Sequence, residues 1–178
     1  RDSVGIAYQG NPSNGGGFGY FVHDNHMKGP IVHTLSEPYG AQYWWPCKQT
    51  LHDKIDSLDV WVYTDTSMKA ASNGVVVRNE VLNDSQRLMV WKHRYPIVTY
   101  LVAIAVTNYS EYTQYAQLIG RSKPLPVLNY VFPQFRTDAE RETKDVLPMI
   151  RLFDSLFVPY PFEKETYGHA QFTWGGGM

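Results

Sequence analysis

The side chains with chemistry to offer in this 178-residue chain are six histidines, one cysteine and a glutamate set beside an aromatic run. His23 and His26 have H-x-x-H spacing and His33 follows, which invites a metal reading. On a strand, residues three apart point to opposite faces, so the two rings converge only if the chain turns at Asp24-Asn25. No H-E-x-x-H or E-x-x-H helix accompanies them, and a zinc site takes about three protein ligands. The histidines read as surface or hydrogen-bonded loop residues, and no metal ligand is assigned. Cys47 sits between Pro46 and Lys48 without a paired histidine motif, and no G-x-S-x-G elbow exists, so neither thiol nor serine catalysis has its parts. The run Gly15-Gly16-Gly17-x-Gly19 lacks a following Lys-Ser/Thr and leads into a strand pattern, which argues against a phosphate cradle. No catalytic residue is assigned.

Two segments are more specific. The first is Leu35-Ser36-Glu37-Pro38-Tyr39-Gly40-Ala41-Gln42-Tyr43-Trp44-Trp45-Pro46-Cys47. The second runs from Phe153 through Phe157-Val158-Pro159-Tyr160-Pro161-Phe162-Glu163-Lys164 to Gln171-Phe172-Thr173-Trp174-Gly175-Gly176-Gly177-Met178. In order, its pattern is a helix end, a Tyr-Pro-Phe corner, a strand and a glycine turn.

The elements that must position these segments are mostly strands. Residues 17–23, 31–34, 57–64, 74–81, 87–93 and 97–107 are rich in β-branched and aromatic residues and are bounded by Asn, Gly, Pro and Asp clusters. Several short strands at this spacing predict an antiparallel β-sandwich-like unit. After residue 107 the pattern changes. Residues 108–123 are polar and tyrosine-rich and read as a connection. Residues 125–132 are a further strand, which Pro126 assigns to an edge. Thr137 with Glu140 has capping-box spacing. Val146, Met149 or Ile150, Phe153, and Leu156 or Phe157 then recur at helical period, with Pro148 expected to kink the helix or delay its regular part. Residues 167–174 resume as a strand. The fold class is mainly β: a sandwich-like domain over 1–107, followed by an α+β unit over 108–178.

Composition sets the remaining bounds. A formal net charge of −1 gives no electrostatic reason to expect nucleic acid as a partner. No apolar run approaches the ~20 residues that span a bilayer. One cysteine excludes an internal disulfide framework without fixing a compartment. The start at Arg1 and the stop at Gly175-Gly176-Gly177-Met178, directly after a strand-like run, read as cuts in a longer protein.

The two specific segments resemble the zinc-dependent aminopeptidase family that includes membrane alanyl aminopeptidase and leukotriene hydrolase. There a helix ends in Phe-Gly-x-Tyr-Pro-Phe-x-Lys, matched by residues 157–164 with Val158 in place of Gly. A strand then leads to a Gly-Ala/Gly-Met-Glu-Asn loop, of which Gly176-Gly177-Met178 resembles the first three residues. Trp45-Pro46-Cys47-Lys48 is similar to the family's Phe-Pro-Cys-Trp, and Glu37 falls at the spacing of its upstream acidic or amide residue. Lys48-Gln49-Thr50 departs from the usual Trp-Asp-Glu.

The resemblance implies a saddle-like β domain followed by the opening of a thermolysin-like catalytic domain, with 97–107 as the saddle's closing strand. It implies a zinc peptidase as parent, with the H-E-x-x-H helix beyond residue 178, so that the chain alone binds no zinc and is inactive. Glu37 would meet the α-ammonium of a peptide substrate, Gly176, Gly177 and Met178 would run beside it, and Tyr39 would line the first side-chain pocket. Part of the saddle is then missing, which predicts exposed strand edges and self-association. The rival reading is a non-enzymatic sandwich module that binds protein, or carbohydrate through Trp44 and Trp45.

Overall fold

The computed structural model describes residues 3–12 and 20–175. The glycine run at 15–19, the first part of the expected strand 17–23, and Gly176, Gly177 and Met178 lie outside the described residues.

Ten strands and two helices follow in chain order: β1 (Tyr20–His26), β2 (Gly29–Leu35), β3 (Leu58–Thr64), β4 (Lys69–Ser72), β5 (Val75–Asn83), β6 (Gln86–His93), β7 (Ile104–Thr107), β8 (Ser110–Ala116), β9 (Leu125–Val131), α1 (Arg136–Glu142), α2 (Val146–Leu156) and β10 (Tyr167–Ala170). They form three sheets, ordered β1-β2-β7-β4, β3-β6-β5 and β10-β9-β8. All pairings are antiparallel except β9–β10. The fold is mainly β, as expected.

The first two sheets pack face to face. Ile31, Ala70, Ala71 and Ala105 come from one, and Met89 and Trp91, with Val60 and Val62, from the other. Small alanines on one layer make room for a methionine and an indole on the other, which is how an interior reaches crystal-like density. The contact is also polar. Ala70 gives its N–H to Met89 Sδ at 3.1 Å and accepts Trp91 Nε1–H at 3.0 Å, so side chains from β6 satisfy the free edge of β4. Gly74, in the turn after β4, has φ +92°, and a Cβ there would overlap the Lys92 carbonyl, so the turn requires glycine.

The third sheet explains the helices. Parallel neighbours cannot be joined by a hairpin, and both α1 and α2 lie in the crossover from β9 to β10. Pro126 sits inside β9, which is central rather than at an edge. β10 pairs only from Val127 onward, so at Pro126 the strand has β8 alone as a neighbour and the missing N–H is tolerated. β8 occupies the stretch expected to be a connection. Its alternation of exposed and half-buried residues is strand-like despite the polar composition.

Three further expectations are corrected. Residues 97–107 are not one strand: Ile97 bridges Ile55, 99–101 form a 3₁₀ turn, and only β7 joins the sheet. Thr137 is inside α1 rather than at its cap, and Glu140 pairs with Arg136 at 2.6 Å. Pro148 falls in the first turn of α2, where its absent N–H has no intrahelical partner to lose, after a 3₁₀ turn at 143–145. The inward face of α2 is Val146, Leu147 and Ile150, which pack with Ala116, Leu118, Leu125 and Val127. Met149, Phe153, Leu156 and Phe157 are exposed.

A buried carboxylate ties the residues after α2 to the first sandwich. Glu165 accepts from His93 Nδ1 at 2.6 Å and from the Arg94 amide at 2.5 Å. Both side chains are nearly buried, 12% and 7% exposed. Removing the carboxylate leaves two part-buried donors without an acceptor. Glu165→Ala is expected to cost about 1–3 kcal/mol. Denaturant unfolding checks this: the midpoint should fall with the slope unchanged, in one transition, because residues from before and after 107 share one core.

Candidate functional site

The loop after β2, which carries Glu37, is held by several local contacts. Gly40 N–H closes a turn onto the Ser36 carbonyl at 2.7 Å, and Trp44 Nε1–H donates to Ser36 Oγ at 2.8 Å. Tyr43 stacks on Tyr20 with ring centroids 4.8 Å apart and planes 1° from parallel. A Cβ on Gly40 would overlap the Tyr20 ring, so the close approach of loop and strand depends on glycine. The amide of Gln42 donates to the Tyr39 carbonyl and Tyr8 donates to the Trp44 carbonyl. Glu37 itself is half-buried, and its carboxylate has no hydrogen-bond or ion-pair partner among the described residues. Tyr39 points to solvent, 56% exposed. Trp44 and Trp45 are half-buried and tilted by 52°, so they do not offer the flat exposed platform on which a sugar ring stacks.

The segment that precedes residues 176–178 comes to β2. Gln171 N–H donates to the Tyr130 carbonyl, Gln171 Oε1 accepts the Phe132 amide, and Tyr109 OH donates to the Gln171 carbonyl at 2.6 Å. Anchored at these three points, the next residues meet His33: the Phe172 ring lies 4.8 Å from the imidazole and Thr173 Oγ1 lies 3.5 Å from Nε2. Thr173 also hydrogen-bonds Asp24, holding that carboxyl below its usual range. His33 and Glu37 are four residues apart, a span of at most about 14 Å.

A cavity of about 560 Å³ lies beneath this segment, between β2 and β7 on one side and β9 and β10 on the other. His33, His93, Glu165 and His169 line it with Trp91 and Tyr130. Thr34 and Leu35 also line it, whereas neither Glu37 nor Tyr39 does. His33 is buried in its wall, 3% exposed, with Nδ1 unpartnered. His169 faces Asn129 across the β9–β10 register at 2.8 Å. Sequence reasoning placed histidines on the surface or in loops and missed this lining, because no local spacing signals that β2, β6 and β10 will converge. His26 instead bonds Thr107 Oγ1 at 2.9 Å and Asn108 Oδ1 at 3.0 Å, and His23 is exposed. Among the described residues no group of three or more His, Cys, Asp or Glu side chains converges as a metal site. Cys47 is half-buried, and burial pushes its thiol up, away from the reactive thiolate. No described helix is long and apolar enough to cross a membrane.

No protein-family model matches the chain, and no curated protein matches it. Solved structures do. The chain is similar to an M1 zinc metallopeptidase from Deinococcus radiodurans at 23% identity and TM-score 0.61, over 79% of this chain and 31% of that one. A mutant of that enzyme bound to a Tyr-Ser-Ala substrate matches at the same identity, TM-score and coverage. A mutant two-domain M1 zinc metallopeptidase bound to L-tryptophan matches at 22% identity and TM-score 0.67, over 90% of this chain and 36% of that one. The chain thus spans about a third of the length of these structures, and what it shares with that third is the fold.

The buried histidines make stability depend on pH. Burial disfavours the imidazolium of both His33 and His169 and holds their pKa values below the ordinary one, with the Asp24 carboxylate opposing this at His33. The unfolded chain takes up these protons near pH 6.5 while the folded chain resists. More protons are then bound by the unfolded state, so stability is full above about pH 6.5 and declines as pH falls below it. Chemical denaturation at pH 5 and pH 7 should show the lower midpoint at pH 5, and His33→Gln with His169→Gln should narrow the gap.

Proposed function

We propose that this chain is the part of a zinc-dependent aminopeptidase that recognises substrate, from a parent that removes amino-terminal residues from peptides. In this reading residues 1–107 close the amino-terminal β domain and 108–178 open the catalytic domain. The observation that carries it is Glu37: a half-buried carboxylate without a partner, on a loop whose neighbouring groups are engaged in holding it. An exopeptidase must tell a terminal ammonium from an internal amide, and a fixed carboxylate does so by charge. The fold shared with M1 zinc metallopeptidases, one of them bound to Tyr-Ser-Ala, is consistent with this assignment.

The family's zinc does not fit the described residues, which offer no converging ligand set. In such a parent the ion would be held by residues outside those described and would supply Lewis-acid chemistry there. This chain's own contribution is to hold the substrate's amino end at Glu37, with Gly176, Gly177 and Met178, which lie outside the described residues, proposed to meet the peptide where small residues let two backbones approach. Tyr39, exposed beside Glu37, borders the first side-chain pocket in this arrangement.

Glu37→Ala in the parent enzyme tests the assignment. The expected outcome is a loss in kcat/KM for free-amino substrates of roughly tenfold or more, ~1.4 kcal/mol, with zinc content unchanged. Unaltered kinetics at full zinc content would assign the carboxylate to the turn alone. The 178-residue chain by itself is expected to hydrolyse no aminoacyl substrate and to retain no stoichiometric zinc after dialysis, which a chromogenic assay and metal analysis check.

A further inference from the structure

The β3-β6-β5 sheet ends in an exposed strand edge of the kind that the peptidase resemblance leads one to expect. Among the described strands β5 pairs only with β6, so its far side presents unpaired backbone groups. Every β5 residue after Val75 is exposed. Natural edges are blunted by proline, lysine or inward-pointing charges. The β5 sequence Val-Val-Val-Arg-Asn-Glu-Val-Leu-Asn carries neither proline nor lysine. Its ladder with β6 is regular from Arg78 to Val81, between irregularities at Val76/Arg78 and Val81/Asn83.

The order of those residues favours one occupant. We propose that β5 pairs antiparallel with β5 of a second copy of this chain, across a two-fold axis at Asn79, joining two three-stranded sheets into one of six strands. In that register Arg78 stands opposite Glu80 of the second copy and Glu80 opposite its Arg78. Val77 stands opposite Val81, and Val76 opposite Leu82. The strand is therefore complementary to its own reverse in both charge and apolar content, as a closed two-fold interface requires. A parallel in-register pair would place Arg78 beside Arg78 and Glu80 beside Glu80, which directly opposed like charges disfavour. In the single chain Arg78 and Glu80 turn to each other, Nη2 to Oε2 at 2.6 Å, with the guanidinium 6.0 Å over Trp61. That pair lies on the outer face of the sheet and leaves the edge backbone open. In the two-fold arrangement the same charges form a four-membered network along the seam.

Sedimentation velocity over a concentration series, on the 178-residue chain, tests this. A reversible monomer–dimer equilibrium is expected. Arg78→Glu or Glu80→Arg alone places like charges opposite each other twice and should weaken the dimer roughly tenfold or more. The double exchange Arg78→Glu with Glu80→Arg restores complementarity and should restore the dimer. Val81→Lys, an exposed position that tolerates the change without unfolding, should also weaken association. Far-UV circular dichroism verifies that each variant is folded. A wild-type chain monomeric at every concentration overturns the proposal. So does a dimer indifferent to single reversals, or a double exchange that fails to recover it.

Discussion

A chain of aromatic contacts through the centre of the molecule is the interaction on which everything else is hung. The Trp91 ring meets Tyr130 at 5.9 Å, Tyr130 meets Tyr109 at 5.8 Å, Tyr109 stacks on Phe132 at 6.2 Å, and Phe132 stacks on His26 at 4.1 Å. These residues come from β6, β9, β1 and the segments beside β7 and β9, so one run of rings touches all three sheets. Rings suit this role because each buries a large area and prefers offset or edge-on geometry, which fixes angles between layers as well as distances. The polar ends of the rings are not wasted. Trp91 donates to Ala70 and Tyr109 donates to Gln171, while burial pushes the Tyr109 and Tyr130 hydroxyls up so that they stay neutral.

The site inherits its geometry from that spine. Tyr109, Tyr130 and Phe132 are the groups that hold Gln171, by a hydroxyl, a carbonyl and an amide. With Gln171 fixed, Phe172 and Thr173 can only lie across β1 and β2, where they meet His33 and Asp24. The path from core packing to His33 and Asp24 is therefore short. Each step along it is a hydrogen bond or a ring contact between named residues. Glu165 provides a second, independent tie from the other end of β10 to the sandwich. Tyr160, with its hydroxyl pushed up to about 12 by burial, packs at that end.

What the sequence made legible follows from which signals are local. Strands with β-branched and aromatic alternation, such as β3 and β6, were readable because periodicity and turn chemistry sit within a few residues. β8 was not. Ser-Glu-Tyr-Thr-Gln-Tyr-Ala is polar enough to pass for a connection, and only its neighbour β9 makes it a strand. The 97–107 stretch failed in the opposite sense. Its apolar run is buried at Ile97 and Val102, but burial there comes from a turn packed under the sandwich, and composition does not distinguish the two. Thr137 and Glu140 had capping-box spacing, yet α1 starts earlier because residues 133–135 already turn in 3₁₀ form ahead of it. Glu37 stood out only through the resemblance, because its spacing upstream of Trp45-Pro46-Cys47 is a local pattern. The cavity histidines did not, because His33, His93 and His169 are brought together only by tertiary packing.

Among the described residues, the exposed apolar surfaces of α2 and β5 differ in what they demand. On α2, Met149, Phe153, Leu156 and Phe157 face solvent, but the helix satisfies its own backbone, so leaving them uncovered costs only hydrophobic area. On β5 the apolar residues are fewer, and the unpaired edge backbone adds a directional requirement that only another strand meets in register. A helix face accepts many partners at many angles, whereas a strand edge accepts an extended chain at one spacing of about 4.8 Å. Specificity at the edge is then decided by the order of side chains along it. In β5, from Val76 to Leu82, that order is opposite in charge and matched in apolarity about Asn79, which makes a copy of itself a matching partner.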